Sequence, residues 1–471
     1  MSNKYLVEIK KEMDNSIDLI YRRINISNID CYVIFLKSMT DKQMLAESVI
    51  LPLQRIKNIT PNKVKNTLFA SEIKELDNVQ DIVNDIVTNN VIILVGNNKK
   101  AISVNLEKFP QRMPSEPPTS SVIQGPRVGF TEELTTNITL MRRRFPTSKF
   151  KMQNVVVGKY TKTKIAICYL SGVANMKVVN TIKKRIESIS IDGIIDSYYL
   201  ISYLQERKKS LFKQVGSSEK PDVVCAKLLE GRVAIICDGS PIVLTLPFLY
   251  IEDIQNSYDY YTNLHYSTLI RVIRIIGIFV ATAAPGFFLA LRLYHYKIVP
   301  LKYIVTISNS TENLPFTPFV EMLFILILFQ ILYEVSLRLP HYLGLATSIV
   351  GALILGDTGV KAGLISPPGV IIVALSLISI YTVPEQSPQF TVLRFLFILA
   401  GGCLGLLGIA GLTIYVINYC NTLNAYGAPY LAPYTPRVNS DLKDGIIRKS
   451  ITEMNSRPKS FKVENEERSK R

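Results

Sequence analysis

Histidine is scarce in this 471-residue chain: His265, His295 and His341 are the only three, which leaves little room for a metal centre. The six cysteines (Cys31, Cys168, Cys225, Cys237, Cys403 and Cys420) are scattered, with no CxxC spacing. Neither a zinc knuckle nor a redox pair is suggested, and the length excludes a small disulfide scaffold. The first twenty residues are charged and lack an apolar core of roughly 7–15 residues, so no cleavable signal peptide is expected. No GxxxxGK[ST] loop is present to cradle phosphate. No acid, histidine and nucleophile fall into a recognisable catalytic motif, so neither an enzyme nor a cofactor is expected.

Basic and apolar residues are abundant. The chain has 54 Lys+Arg against 38 Asp+Glu, a net charge of +16, and 48% hydrophobic residues. A mean hydropathy of +0.21 beside 20% charged residues implies a segregated sequence, and this apolar content excludes intrinsic disorder. Charges are frequent up to Arg274, 275–419 is largely apolar, and the chain is polar and basic after Arg437. The apolar stretches are 275–291, 319–337, 343–356, 366–383 and 395–418. A bilayer core of ~30 Å takes about 20 helical residues, which predicts five or six membrane segments, with an irregular crossing at 285–307. Arg271, Arg274 and the basic tail place both ends on the cytoplasmic side by the positive-inside bias. Attraction to anionic lipid accounts for the positive charge more simply than nucleic acid does.

The polar half reads as a duplication. Residues 31–36 (CYVIFL) and 165–170 (IAICYL) are apolar enough for buried strands, each followed by an amphipathic helix. Residues 86–102 and 228–244 align without gaps as helix end, strand, turn and strand, with Gly96-Asn97-Asn98 and Asp238-Gly239-Ser240 as turns. The expected fold is an α/β two-lobed soluble N-terminal domain followed by a multi-span α-helical membrane domain. Its parts are lobe 1–108, a Pro-rich link 109–126, lobe 127–270, a membrane domain 271–420 and a basic tail 421–471. A chance match between two helix-and-hairpin units is the plainer alternative.

Several blocks resemble the A subunit of GerA-type spore germinant receptors. They are Gly125-Pro126-Arg127-Val128-Gly129-Phe130 with Glu133, Asn137 and Arg142-Arg143-Arg144; Glu219-Lys220-Pro221-Asp222; Leu229-Glu230-Gly231-Arg232-Val233 with Asp238-Gly239-Ser240-Pro241; and Asp259-Tyr260-Tyr261. Pro315-Phe316-Thr317-Pro318-Phe319-Val320-Glu321, Arg338-Leu339-Pro340 and Gly427-Ala428-Pro429-Tyr430 continue the series. Lys213 stands where the family usually has proline, Gln330 and Tyr333 where it often has Glu and Arg, and Asp357 where Gln is common. The resemblance implies an integral protein of the spore inner membrane with its N-terminal domain facing the spore core. It implies work beside a transporter-like B subunit and a lipoprotein C subunit, and a homo-oligomer forming a nutrient-gated ion channel.

Gly344, Ser348, Ala352 and Gly356 recur every four residues, and Gly401 and Gly405 repeat the spacing, so two helices carry small faces that admit close neighbours. The neighbours are another subunit or simply the same one. The stretch 356–363 reads as an irregular break carrying both charge signs, with Asp357, Thr358 and Lys361 as candidate pore lining and Val360 as candidate constriction. A plain surface loop is the alternative. Glu334 and Arg338, four apart, form a candidate membrane ion pair. Arg127 and Glu133 are candidates for the lobe interface. Competing classes are a non-conducting scaffold for the B subunit and a secondary transporter, although matching inverted repeats are not visible.

Overall fold

The computed structural model describes residues 4–13, 16, 18–57, 59–70, 72–96, 98, 100–106, 124–311, 314–338 and 354–468. The first lobe is one antiparallel sheet of β1 (Leu19–Ile26), β2 (Ile29–Leu36), β3 (Ile73–Leu76), β4 (Asn90–Val95) and β5 (Ala101–Asn105), in the order β1-β2-β4-β5-β3. The second is β6 (Phe150–Val157), β7 (Thr163–Leu170), β8 (Gly216–Ser218), β9 (Val233–Cys237) and β10 (Val243–Leu246), in the order β6-β7-β9-β10-β8. Strand for strand the two orders are the same, and every pairing in both is antiparallel.

Both central strands are apolar without alternation because each is covered on both faces. In β4, Val91, Ile93 and Val95 enter one core while Ile92 and Leu94 enter another. In β9, Val233, Ile235 and Cys237 face one core, and Ala234 and Ile236 the other. The two-residue period of a strand divides the side chains in this way. A helix leads into each strand, Val79–Val87 capped by Asn78, and Pro221–Leu229 with proline in its first turn.

Among the described residues, three helices are long and apolar enough to cross a membrane: Leu264–Thr282, Pro318–Ser336 and Pro384–Asn421. The first is followed at once by Ala284–Leu293, with the break at Ala283. Pro285 is the cause: it has no N–H to donate to the carbonyl of Ala281 four residues back. That carbonyl accepts instead from Ser376 Oγ at 2.9 Å and Arg394 Nε at 2.8 Å. Arg394 Nη2 also donates to the Ser376 carbonyl at 3.2 Å. A fully buried guanidinium inside the bundle thus satisfies backbone that a proline has freed.

The third helix is not straight. Gly405 has φ 62° and ψ −144°, and the chain folds back there, bringing Gly408 against the Ala400 carbonyl and Gly401 against Ile409. Gly405, expected on a continuous packing face, is therefore the bend itself, a conformation that only glycine adopts readily. The limbs 387–404 and 406–421 are ~27 Å and ~24 Å long at 1.5 Å per residue. Both outer ends reach the second lobe: Lys213 Nζ meets Glu385 at 2.5 Å, and Arg207 Nη1 donates to Thr422 Oγ1 at 2.9 Å. The bend sits at the far level, against Tyr294 and His295, where Tyr294 donates to the carbonyls of Gly402 (2.8 Å) and Cys403 (3.2 Å).

The segment expected as a basic tail is folded onto the second lobe. Tyr430 and Ala432 are buried beside Phe248 and Leu249. The Arg232 guanidinium lies 4.3 Å from the Phe461 ring centroid, and Glu464 N–H donates to the Val173 carbonyl. Gly231, with φ +88°, leaves the space that Val463 fills.

Candidate functional site

Within the stretch 356–363 the candidate pore residues lie on helix, and the irregular backbone comes at its end. Ile354–Thr358 is a π-helical turn that runs into Gly359–Lys361. Gly363 has φ +64°, its N–H donates to the Val360 carbonyl, and Leu364 N–H donates to that of Gly359, which together close the helix end. Asp357 and Lys361 pair with each other at 2.7 Å on an exposed face, and Thr358 is exposed beside them. Val360 is half-buried and packs on the core of Leu289, Met322, Ile325, Ile365 and Ile398. Gly356 faces open space. Gly344, Ser348 and Ala352 lie outside the described residues.

One carboxylate holds this corner. Glu321, 1% exposed, accepts from Arg292 Nη1 at 3.0 Å with one oxygen and from the Ser366 N–H at 2.7 Å with the other. Ser366 Oγ in turn caps the next helix at Gly369 N–H. Three helix ends, at Arg292, Glu321 and Ser366, are thereby joined at the level of the bend. The expected membrane ion pair, Glu334–Arg338, does form at 2.7 Å, but its side chains are exposed. The buried pair is Arg292–Glu321. Its signal in sequence was a lone carboxylate just inside an apolar run, which requires a partner. Gly401 packs within the chain, its Cα facing the carbonyl of Gly286.

At the opposite level the bundle is joined to the lobes by buried charge. Asp259, 1% exposed, accepts from Arg274 twice (2.7 and 2.8 Å) and from Arg271 Nε at 3.1 Å. Arg271 Nη1 reaches Asp444 at 2.9 Å, and Tyr260 donates to the same carboxylate at 2.6 Å. The two arginines that suggested orientation are therefore held by carboxylates of the lobe and the C-terminal segment. Nearby, Gln386 donates to Asp253, whose carboxyl is pushed up to about 7 by burial, against the opposing charge of Lys213.

Among the contacts the structure shows, Arg142 bridges the lobes and Glu133 bonds within its own. Glu133 accepts from neighbouring Thr136 at 2.6 Å, and Arg127 is exposed. Arg142 supplies the bond: its Nη2 reaches Asp18 Oδ1 and Ser16 Oγ, each at 3.1 Å, and its Nη1 donates to the Phe150 carbonyl at 3.1 Å. Thr139 Oγ1 adds a bond to the Ser38 carbonyl at 2.9 Å.

Comparison with known proteins gives a consistent relationship. Residues 7–460 match the family described as Bacillus/Clostridium GerA spore germination protein. Spore germination protein KA of Bacillus subtilis (strain 168) is 33% identical over 99% of this chain and 87% of its own length. Spore germination protein GerLA of Bacillus cereus is 30% identical over 96% of this chain and 94% of its own. The crystal structure of the N-terminal domain of the A subunit of the Bacillus megaterium spore germinant receptor GerK3 aligns with 27% identity and a TM-score of 0.39, covering 52% of this chain and 94% of that one. On the match that runs from residue 7 to residue 460, the chain belongs to the GerA spore germination protein family.

Proposed function

We propose that this chain is the A-type membrane subunit of a nutrient (germinant) receptor that triggers spore germination, and that it does so as an oligomeric nutrient-gated ion channel. The observation that carries the receptor role is the match to spore germination proteins along nearly the whole chain. The expected setting is the spore inner membrane, beside B and C subunits, with the N-terminal domain on the core side. An even number of crossings fits the bundle. Its first helix starts beside Asp259 and its last limb ends beside Arg207, both on the side of the lobes.

For the channel, the support is the corner at 354–366. Charged Asp357 and Lys361 face outward from the chain, and a branched Val360 sits between them and a buried core. A ring of such corners in an oligomer is a polar path with an apolar neck. Ion flux from liposomes holding the purified oligomer tests it. Nutrient-dependent flux is expected, with Val360→Ala raising the basal leak and Ala352→Leu reducing assembly. An assembled oligomer with no flux under any nutrient returns the reading to a non-conducting scaffold.

A further inference from the structure

The segment between the first crossing and the second contains a helix, Leu301–Asn309, with no fully buried residue. Leu301 is 76% exposed, Tyr303 67% and Val305 50%. Its sequence is nevertheless two-faced. Leu301, Ile304, Val305 and Ile307 share one side at helical spacing, and Lys302, Thr306 and Asn309 share the other. An apolar face of this size in contact with water is costly, so something covers it.

Three observations identify the cover. The helix follows directly from the far end of Ala284–Leu293, at the level where Tyr294 meets the Gly405 bend and Arg292 meets Glu321. Tyr294, Tyr296 and Tyr303 are each half exposed or more around it, and amphipathic rings of this kind collect at membrane–water boundaries. Residues 294–311 carry Lys297 and Lys302 and no acidic residue, so the segment is cationic throughout. The irregular crossing expected at 285–307 is therefore replaced by a crossing that ends at Leu293 and a separate short helix beyond it.

We infer that Leu301–Asn309 lies in the plane of the far membrane interface, its Leu301/Ile304/Val305 face in the acyl boundary and Lys302 among anionic lipid headgroups. This rests on the reading of the bundle as membrane-spanning. The helix then fixes the depth of the corner formed by Arg292, Glu321 and Ser366, because only the short 294–300 connection separates them.

The chain contains no tryptophan, so a single introduced one reports its own surroundings. The full chain is reconstituted in vesicles of phosphatidylcholine and phosphatidylglycerol whose acyl chains carry bromine either high or low. Leu301→Trp is expected to emit at shorter wavelength and to be quenched more by the shallow than by the deep bromines. Lys302→Trp is expected to be quenched by aqueous iodide instead. Leu399→Trp, on the exposed flank of the first limb, is expected to be quenched by the deep bromines. If Leu399→Trp responds to lipid but Leu301→Trp responds only to iodide, or to neither quencher, the interfacial placement is wrong while the spanning bundle stands. If Leu399→Trp also ignores lipid, the spanning reading fails and takes this inference with it.

Discussion

The two lobes share one strand order, yet they are attached to the rest of the molecule by different means. The first is joined to the second through a buried guanidinium, Arg142, on Asp18 and Ser16, with Thr139 on Ser38 and Lys151 on the Glu12 carbonyl. The second is fastened to the bundle by Lys213 to Glu385 and Arg207 to Thr422, and to the C-terminal segment by Tyr250 N–H to the Tyr430 carbonyl, Asn175 to the Lys462 carbonyl and Arg457 to the Leu229 carbonyl. The two lobes thus share a strand order while their edges have different partners. Strand order depends on apolar pattern and turns, whereas attachment depends on a few charged side chains, and those are free to differ between the lobes. The consequence is a chain of contact in which the second lobe stands between the first and the membrane.

The strongest way to break that arrangement is Arg142→Ala. Arg142 is 0% and Asp18 5% exposed at the side chain. Removing one partner of a buried pair leaves an uncompensated charge, at a cost of about 3–5 kcal/mol. The expected outcome is a separate, lower unfolding transition and faster proteolysis at the first lobe, with the second lobe still protected. A single unchanged transition refutes the idea that Arg142 is the main tie between the lobes.

The attachment of the second lobe is sensitive to pH through Asp253. Its carboxyl, facing Lys213, Glu385, Glu252 and Gln386, is raised from 3.8 to about 7 by burial. A carboxyl raised in the folded state binds its proton more tightly there than in the unfolded chain. Its contribution is therefore full below about pH 4 and is lost as the pH rises through about 7. Thermal unfolding of the full chain in detergent is expected to move to lower temperature between pH 5 and 7.5, and Asp253→Asn is expected to flatten that slope. Lys213 faces this carboxyl and opposes the effect of burial, so Lys213→Pro is expected to alter the profile as well.

Much of this was legible in the sequence. The strands CYVIFL and IAICYL and the helix, strand, turn and strand at 86–102 and 228–244 follow from local pattern, and they are where the structure has them. What could not be read were partners distant in sequence. Arg271 and Arg274 served as topology signals, because nothing in a linear pattern ties them to Asp259 or Asp444. Arg394 fell at the edge of an apolar run, and its use depends on a carbonyl freed 113 residues earlier. Gly405 resembled its neighbours Gly401 and Gly408, since a four-residue spacing describes a packing face only while the helix stays straight.

The smallest effect expected sharpens the same comparison. The first lobe has a bidentate pair on its edge strand: Arg23 Nε to Asp30 Oδ1 at 3.0 Å and Nη2 to Oδ2 at 2.7 Å. The second lobe has Arg232 between Glu230 at 3.0 Å and Glu252 at 2.5 Å, over the Phe461 ring. Both arginines pair with carboxylates, but Arg23 is 62% exposed at the side chain and Arg232 only 5%. In water the pair competes with hydration and salt, and exposed pairs of this kind contribute little. Arg23→Ala is therefore expected to leave the unfolding temperature unchanged within error at physiological salt. Arg232→Ala is expected to lower it clearly, because among the described residues Glu252 keeps only Lys227 as a charged partner in a closed site and Phe461 loses its cation. Equal shifts for the two substitutions would mean that the C-terminal segment does not seal the second lobe, and that the lobes differ less in their attachment than these contacts indicate.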